Sequence, residues 1–130
     1  MKELTEKEKG KLNKYAKKYK SNEKLLIASV ARKTIRYIEK NTVNYPKEYY
    51  VLKNKIIDSC YSILENIYRA NIFQDINDKK EIIVNIQMLN FYLEESLKKE
   101  LISKKKFVSY VNHLLEIDKM VRVWFSYEAS

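Results

Sequence analysis

Apolar residues recur at helical spacing along most of this chain. Leu26, Ile27, Val30, Ala31, Ile35 and Ile38 are separated by steps of one, three and four, which bring side chains to one side of an α-helix. Ser21 or Asn22 can cap that segment by accepting a backbone N–H, and it should end near Asn41. Asn44-Tyr45-Pro46 then restarts the chain, because proline suits a first helical turn, where a missing N–H costs nothing, and disfavours helix in the residue before it. From Lys47 to about Asn71 the positions Leu52, Ile56, Cys60, Ile63, Leu64 and Ile67 give the clearest helical stripe. Asp75, Asn77 and Asp78 supply a polar break with capping side chains, and the next stripe reads Ile82, Ile86, Leu89, Leu93 and Leu97. Ser103 can cap the last segment, whose face is Phe107, Val111, Leu114, Ile117, Val121 and Trp124.

Four such stripes on rods of roughly 30 to 38 Å, joined by short links, predict an all-α fold. Each helix can bury its stripe only against neighbours, so the expected architecture is an antiparallel up-down four-helix bundle over residues 22–130. A basic helical N-terminal extension over residues 1–21 precedes it. In that extension Leu12, Tyr15, Ala16 and Tyr19 form a short amphipathic stripe, and Gly10 is expected to interrupt any helix begun earlier.

Composition agrees. The 130 residues, 45% apolar, suffice for one domain with a core. A single Gly and a single Pro leave almost nothing for the tight turns and left-handed positions of β-hairpins and phosphate loops. The stretch after Met1 has no apolar core of a signal peptide, and the mean hydropathy of -0.52 comes without any window fit to span a bilayer. A cytoplasmic protein without membrane association is expected.

The net charge of +9 favours polyanionic partners: RNA, DNA or an acidic protein surface. Lysine far outnumbers arginine, and the chain is crowded with Ile, Asn and Tyr, a mixture that AT-rich codon usage produces unaided. Charge position therefore says more than the total. Met1 to Lys20 carries eight Lys against three Glu, more than half of the excess.

Candidate chemistry is sparse. His113 is the only histidine, so a Ser-His-Asp relay would have to run through it, and no nucleophile is close in sequence. A boundary histidine with a structural hydrogen bond is the expectation. Cys60 is the single cysteine; without companions at ligand spacing it reads as a small buried hydrophobe. Glu-x-x-His pairs of di-iron bundles do not occur, so Glu94 and Glu95 read as solvated charges. Phosphate loops of the G-x-x-x-x-G-K kind cannot be written with one glycine. Neither cofactor nor metal is expected, and the chain is not expected to be an enzyme.

What remains is binding. Lysine and tyrosine alternate in Lys14-Tyr15-Ala16-Lys17-Lys18-Tyr19, and Arg32, Lys33 and Arg36 fall on the outer side of the first bundle helix. Lysines neutralise phosphates while tyrosine faces stack on unpaired bases; equally, the first of these segments can be a solvated basic helix packed through its Tyr and Leu. Lys104, Lys105 and Lys106 crowd a helix start, where the dipole opposes cations by a few tenths of a kcal/mol each, so composition or a bound anion placed them there. Tyr49, Tyr50, Tyr61, Tyr68, Tyr92 and Tyr110 are too many for one core to satisfy, which points some of them at the surface and at a protein interface.

Asn44-Tyr45-Pro46, Leu52-x-x-x-Ile56, Leu64-Glu65 with Ala70-Asn71, Leu89-x-x-x-Leu93, Ile102-Ser103 and Leu115-Glu116-Ile117-x-x-Met120-x-x-x-Trp124 together resemble the accessory variability determinant proteins of diversity-generating retroelements. Those stand within the wider four-helix-bundle group that includes proteins encoded in ribosomal RNA intervening sequences. The resemblance spans roughly Leu26 to Phe125. It implies a homo-oligomer, a ring-like pentamer, that binds the element's reverse transcriptase and template RNA and supports mutagenic complementary-DNA synthesis without catalysing it. Lys14, Lys17, Lys18, Arg32, Lys33, Arg36, Lys104, Lys105 and Lys106 are then the candidate phosphate contacts. The alternative is a structural or adaptor bundle with a protein partner, its charge only compositional.

Overall fold

A computed structural model describes the backbone of residues 5–11 and 26–129 and the side chains of residues 5–11 and 26–124. The amphipathic stripe from Leu12 to Tyr19, with Lys14, Lys17 and Lys18, and the caps at Ser21 or Asn22 lie outside the described residues. Within them the chain is all helical, without a strand: α1 (residues 6–11), α2 (Leu26–Thr42), α3 (Tyr50–Phe73), α4 (Ile76–Lys98) and α5 (Lys104–Ala129), with a 3-10 turn at Lys47–Tyr49.

Local chemistry sets each boundary. Thr5 caps α1: its Oγ1 accepts from the Glu8 N–H at 3.2 Å, satisfying a donor that a helix start leaves free, and donates to Glu8 Oε1 at 3.0 Å. Gly10 lies inside α1 and does not interrupt it. A mid-helix glycine costs only about 1 kcal/mol relative to alanine. Pro46 ends the link after α2 in an extended conformation (φ -56°, ψ 151°), and its carbonyl accepts from the Tyr49 N–H at 2.8 Å to close the 3-10 turn. Proline thus stands just before the first turn, one position earlier than the sequence suggests.

The two remaining links use left-handed residues although neither is glycine. Gln74 (φ 53°) ends α3 by donating its N–H to the Ala70 carbonyl, and Asp75 caps α4 by accepting from the Asn77 N–H at 2.9 Å. After α4, Glu100 (φ 59°) donates to the Leu97 carbonyl and Leu101 to the Ser96 carbonyl, the paired bonds of a Schellman ending. A left-handed L-residue costs roughly 1–2 kcal/mol, so scarcity of glycine raises the cost of these turns without removing them.

The core is one cluster contributed by four helices. The helices supply Ile27, Ala28, Ala31, Ile35 and Ile38 of α2; Ile56, Cys60, Ile63 and Ile67 of α3; Ile82, Ile86, Leu89 and Leu93 of α4; and Tyr110, Leu114, Ile117 and Val121 of α5; Tyr45 and Ile102 of the links complete it. Full burial of one such aliphatic side chain stabilises by about 1.5–3 kcal/mol. Most of these residues follow the stripes read from the sequence, but Ala28 and Tyr110 are buried although the stripes omit them, and Leu26 is largely exposed. Cys60 is buried as a small apolar group, its thiol pushed up to about 12 by burial and, secondarily, by the charge of Glu39.

Specific contacts fix which helices are neighbours. Arg32 of α2 lies over the ring of Tyr68 in α3, and Tyr61 of α3 donates to Glu39 of α2 at 2.7 Å. Tyr37 of α2 meets Tyr110 of α5 edge to face at 5.2 Å and accepts from Ser109 Oγ at 3.2 Å. Arg69 of α3 pairs with Asp78 of α4 at 3.3 Å. Lys79 of α4 reaches Trp124 of α5, its ammonium 4.4 Å from the ring centroid and 3.5 Å from the carbonyl oxygen.

Candidate nucleic-acid interface

The basic residues of α2 do not form one outward row. Arg32 and Arg36 are one turn apart, which aligns them on a single ridge, and that ridge meets α3. Together with Ile35, Tyr61 and Leu64 they line a groove of about 240 Å³. Arg32 is half-buried, with its guanidinium carbon 5.7 Å from the centroid of Tyr68, a cation–π placement that holds the planar fork in one position. Arg36 and Lys33 are exposed. Neither side chain meets a carboxylate among the described residues, unlike Lys99, held 3.0 Å from Glu95, and Arg122, held 2.8 Å from Asp118.

Tyr61 forms the α3 wall of the groove. Half of its surface is open to solvent (50%), yet the hydroxyl is tied to Glu39, whose carboxylate raises its pKa through that hydrogen bond. One end of the ring is thereby anchored while half of the residue stays open to solvent. Sequence reasoning placed Tyr61 only among tyrosines too numerous for the core. Its partnership with Arg36 comes from the register of two helices, which no local pattern encodes.

Lys104, Lys105 and Lys106 form the exposed first turn of α5. Ser103 caps that turn as expected: its Oγ accepts from the Lys106 N–H at 3.1 Å, and its carbonyl accepts from the Phe107 N–H at 2.9 Å. The three lysines belong to the turn preceding Tyr110, whereas Arg32 and Arg36 face α3. The described candidates therefore fall into two groups, one in the α2/α3 groove with Lys33 beside it and one at the start of α5.

His113 has the structural role the sequence suggested. Half-buried, it places Nδ1 2.7 Å from the Ser109 carbonyl oxygen, and its ring packs 5.3 Å from Tyr37. A carbonyl only accepts, so Nδ1 carries the proton. Glu94 is exposed, and the carboxyl of Glu95 is lowered by its hydrogen bond from Lys99. Among the described residues no group of three or more His, Cys, Asp or Glu is placed to hold a metal ion, and no helix is long and apolar enough to cross a membrane.

Lys79 went unnoticed in the sequence. It is fully buried, three residues before Ile82 on the α4 stripe, a spacing that was the available signal.

A second groove, between α4 and α5, is lined by Ile86, Asn90, Val111, Leu115 and Arg122 among others. On α4 the exposed residues Val84, Met88 and Phe91 follow one another at four and three residues. Compared with known proteins, the chain matches no protein-family model and no curated protein.

Proposed function

We propose that the chain is a non-catalytic, cytoplasmic accessory subunit that binds RNA and a reverse transcriptase within a retroelement and supports mutagenic complementary-DNA synthesis as a homo-oligomer. Its four long helices make an antiparallel up-down four-helix bundle, and residues 1–21 add a basic arm. The cross-helix pairs support that arrangement: Arg32 with Tyr68 and Glu39 with Tyr61 run in opposite chain directions, the start of α5 lies near the end of α2 through Tyr37 and Ser109, and the start of α4 lies near the far part of α5 through Lys79 and Trp124.

The observation that carries the RNA reading is the groove in which Arg32 and Arg36 stand beside a half-exposed tyrosine. Guanidinium groups suit phosphate, and aromatic faces suit unpaired bases. The reverse-transcriptase and retroelement parts rest on the motif resemblance alone. A variant carrying Lys33→Glu, Arg36→Glu and Lys105→Glu should keep its helical circular dichroism and lose at least tenfold in RNA affinity by fluorescence anisotropy. An unchanged affinity in a folded variant refutes the RNA reading.

A rival reading is an adaptor that binds a protein, its positive charge compositional. The exposed Val84, Met88 and Phe91 row on α4 favours it, since apolar residues contiguous on a surface mark protein contacts. Under that reading the charge-reversed variant is silent, while Met88→Asp with Phe91→Asp abolishes partner capture.

A further inference from the structure

We infer that the α2/α3 groove takes one unpaired nucleotide of a single-stranded nucleic acid, with its base stacked on Tyr61 and its phosphate at Arg36. The inference rests on the RNA reading above and narrows it to a single-strand preference.

Three features of the groove lead there. The first is size: about 240 Å³ is below the roughly 300–1,000 Å³ of pockets that hold drug-sized ligands, and suits one flat ring. The second is its floor and wall. Ile35 and Leu64 are apolar, and Tyr61, which lines the groove, is anchored at its hydroxyl by Glu39 and half open to solvent. A ring already fixed loses little conformational freedom when a base stacks on it, which is what makes an aromatic platform effective.

The third feature is the distribution of charge. Glu39 repels a phosphate from the hydroxyl end of Tyr61, while Arg36, exposed and without a carboxylate partner among the described residues, attracts it on the α2 ridge. Arg32, one turn away and parked over Tyr68, adds positive potential to the same ridge. Base and phosphate therefore have distinct places. A duplex stacks its base faces on one another and can offer Arg36 only backbone charge, so it gains nothing from Tyr61.

The test compares a labelled 12-nucleotide RNA, single-stranded and annealed to its complement, by anisotropy with the full chain. Wild type should prefer the single strand. Tyr61→Ala should weaken single-strand binding by about 5- to 100-fold, in line with the loss of one base–aromatic stack, and leave duplex binding unchanged. Tyr61→Phe, which keeps the ring and drops only the tie to Glu39, should stay within about threefold of wild type, and Arg36→Glu should weaken both forms. If Arg36→Glu weakens both but Tyr61→Ala changes neither, RNA binding stands and the stacking site is overturned. If wild type binds neither RNA, the functional reading falls with it.

Discussion

Tyr110 offers the sharpest test of how the interior is packed, because its hydroxyl and its ring pull in opposite directions. The side chain is fully buried (0% exposed). Its ring meets Tyr37 edge to face at 5.2 Å and 87°, a contact worth about 0.5–1.5 kcal/mol beyond area burial. Its hydroxyl, by contrast, has no hydrogen-bond partner among the described residues. Leaving a buried hydroxyl unsatisfied costs about 1–3 kcal/mol relative to water. Tyr110→Phe keeps the ring and removes that cost, so it should stabilise the protein by about 1–2 kcal/mol. At about 2.1 cal/mol/K per residue, the 130 residues give an unfolding entropy near 270 cal/mol/K, and the gain corresponds to a rise in Tm of about 4–7 °C. Tyr37→Phe is the matched control. It removes the acceptor for Ser109 Oγ and should cost about 0.5–1.5 kcal/mol. Urea unfolding followed at 222 nm measures both. A Tyr110→Phe variant less stable than wild type by 1 kcal/mol or more would mean that the hydroxyl is hydrogen-bonded, and the reasoning about this interior would be wrong.

Two further predictions concern the core. Leu93→Ala, at a fully buried site of α4, should cost about 2–5 kcal/mol, whereas Val84→Ala, on the exposed side of the same helix, should stay within about 0.5 kcal/mol; equal effects in urea unfolding would contradict the assigned faces. The Cys60 thiol is raised from its ordinary 9.0 to about 12 by burial, so the folded state keeps a proton that the unfolded chain releases. That contribution to stability is intact below pH 9 and is lost as pH rises from 9 towards 12, by at most about 1.4 kcal/mol per pH unit; Tyr45 and Tyr110, also raised mainly by burial, act in the same direction. Urea midpoints at pH 8, 9 and 10 should fall more steeply for wild type than for Cys60→Ala, and identical slopes would refute the assignment.

The elements themselves were legible because the information is local. Spacing alone placed the buried faces of α3 and α4, and the caps at Asp75 and Ser103 act through bonds two to four residues long. Reading failed where tertiary packing overrides type. Lysine suggests solvent, yet Lys79 is buried because the Trp124 ring and carbonyl receive its ammonium. Leu26 suggests core but sits one residue ahead of Ile27, which takes the inward position. Gln74 and Glu100 were invisible as left-handed residues, since nothing in their side chains favours that backbone.

The candidate interface was legible only by half. Arg32, Lys33 and Arg36 could be grouped from helical spacing. Tyr61 and Leu64 joined them through the α2/α3 register, and Glu39, which anchors Tyr61, lies 22 residues away from it in sequence. The groove arises from the pairing of two helices whose separate patterns report only burial.

Binding of RNA through lysine and arginine must weaken as salt rises. If about five cations neutralise phosphates on a single strand, log affinity should fall against log salt with a slope near -3.5, so RNA binding should weaken by roughly a hundredfold between 50 and 200 mM salt. A binding constant that stays flat across that range would contradict an RNA-binding role for this surface.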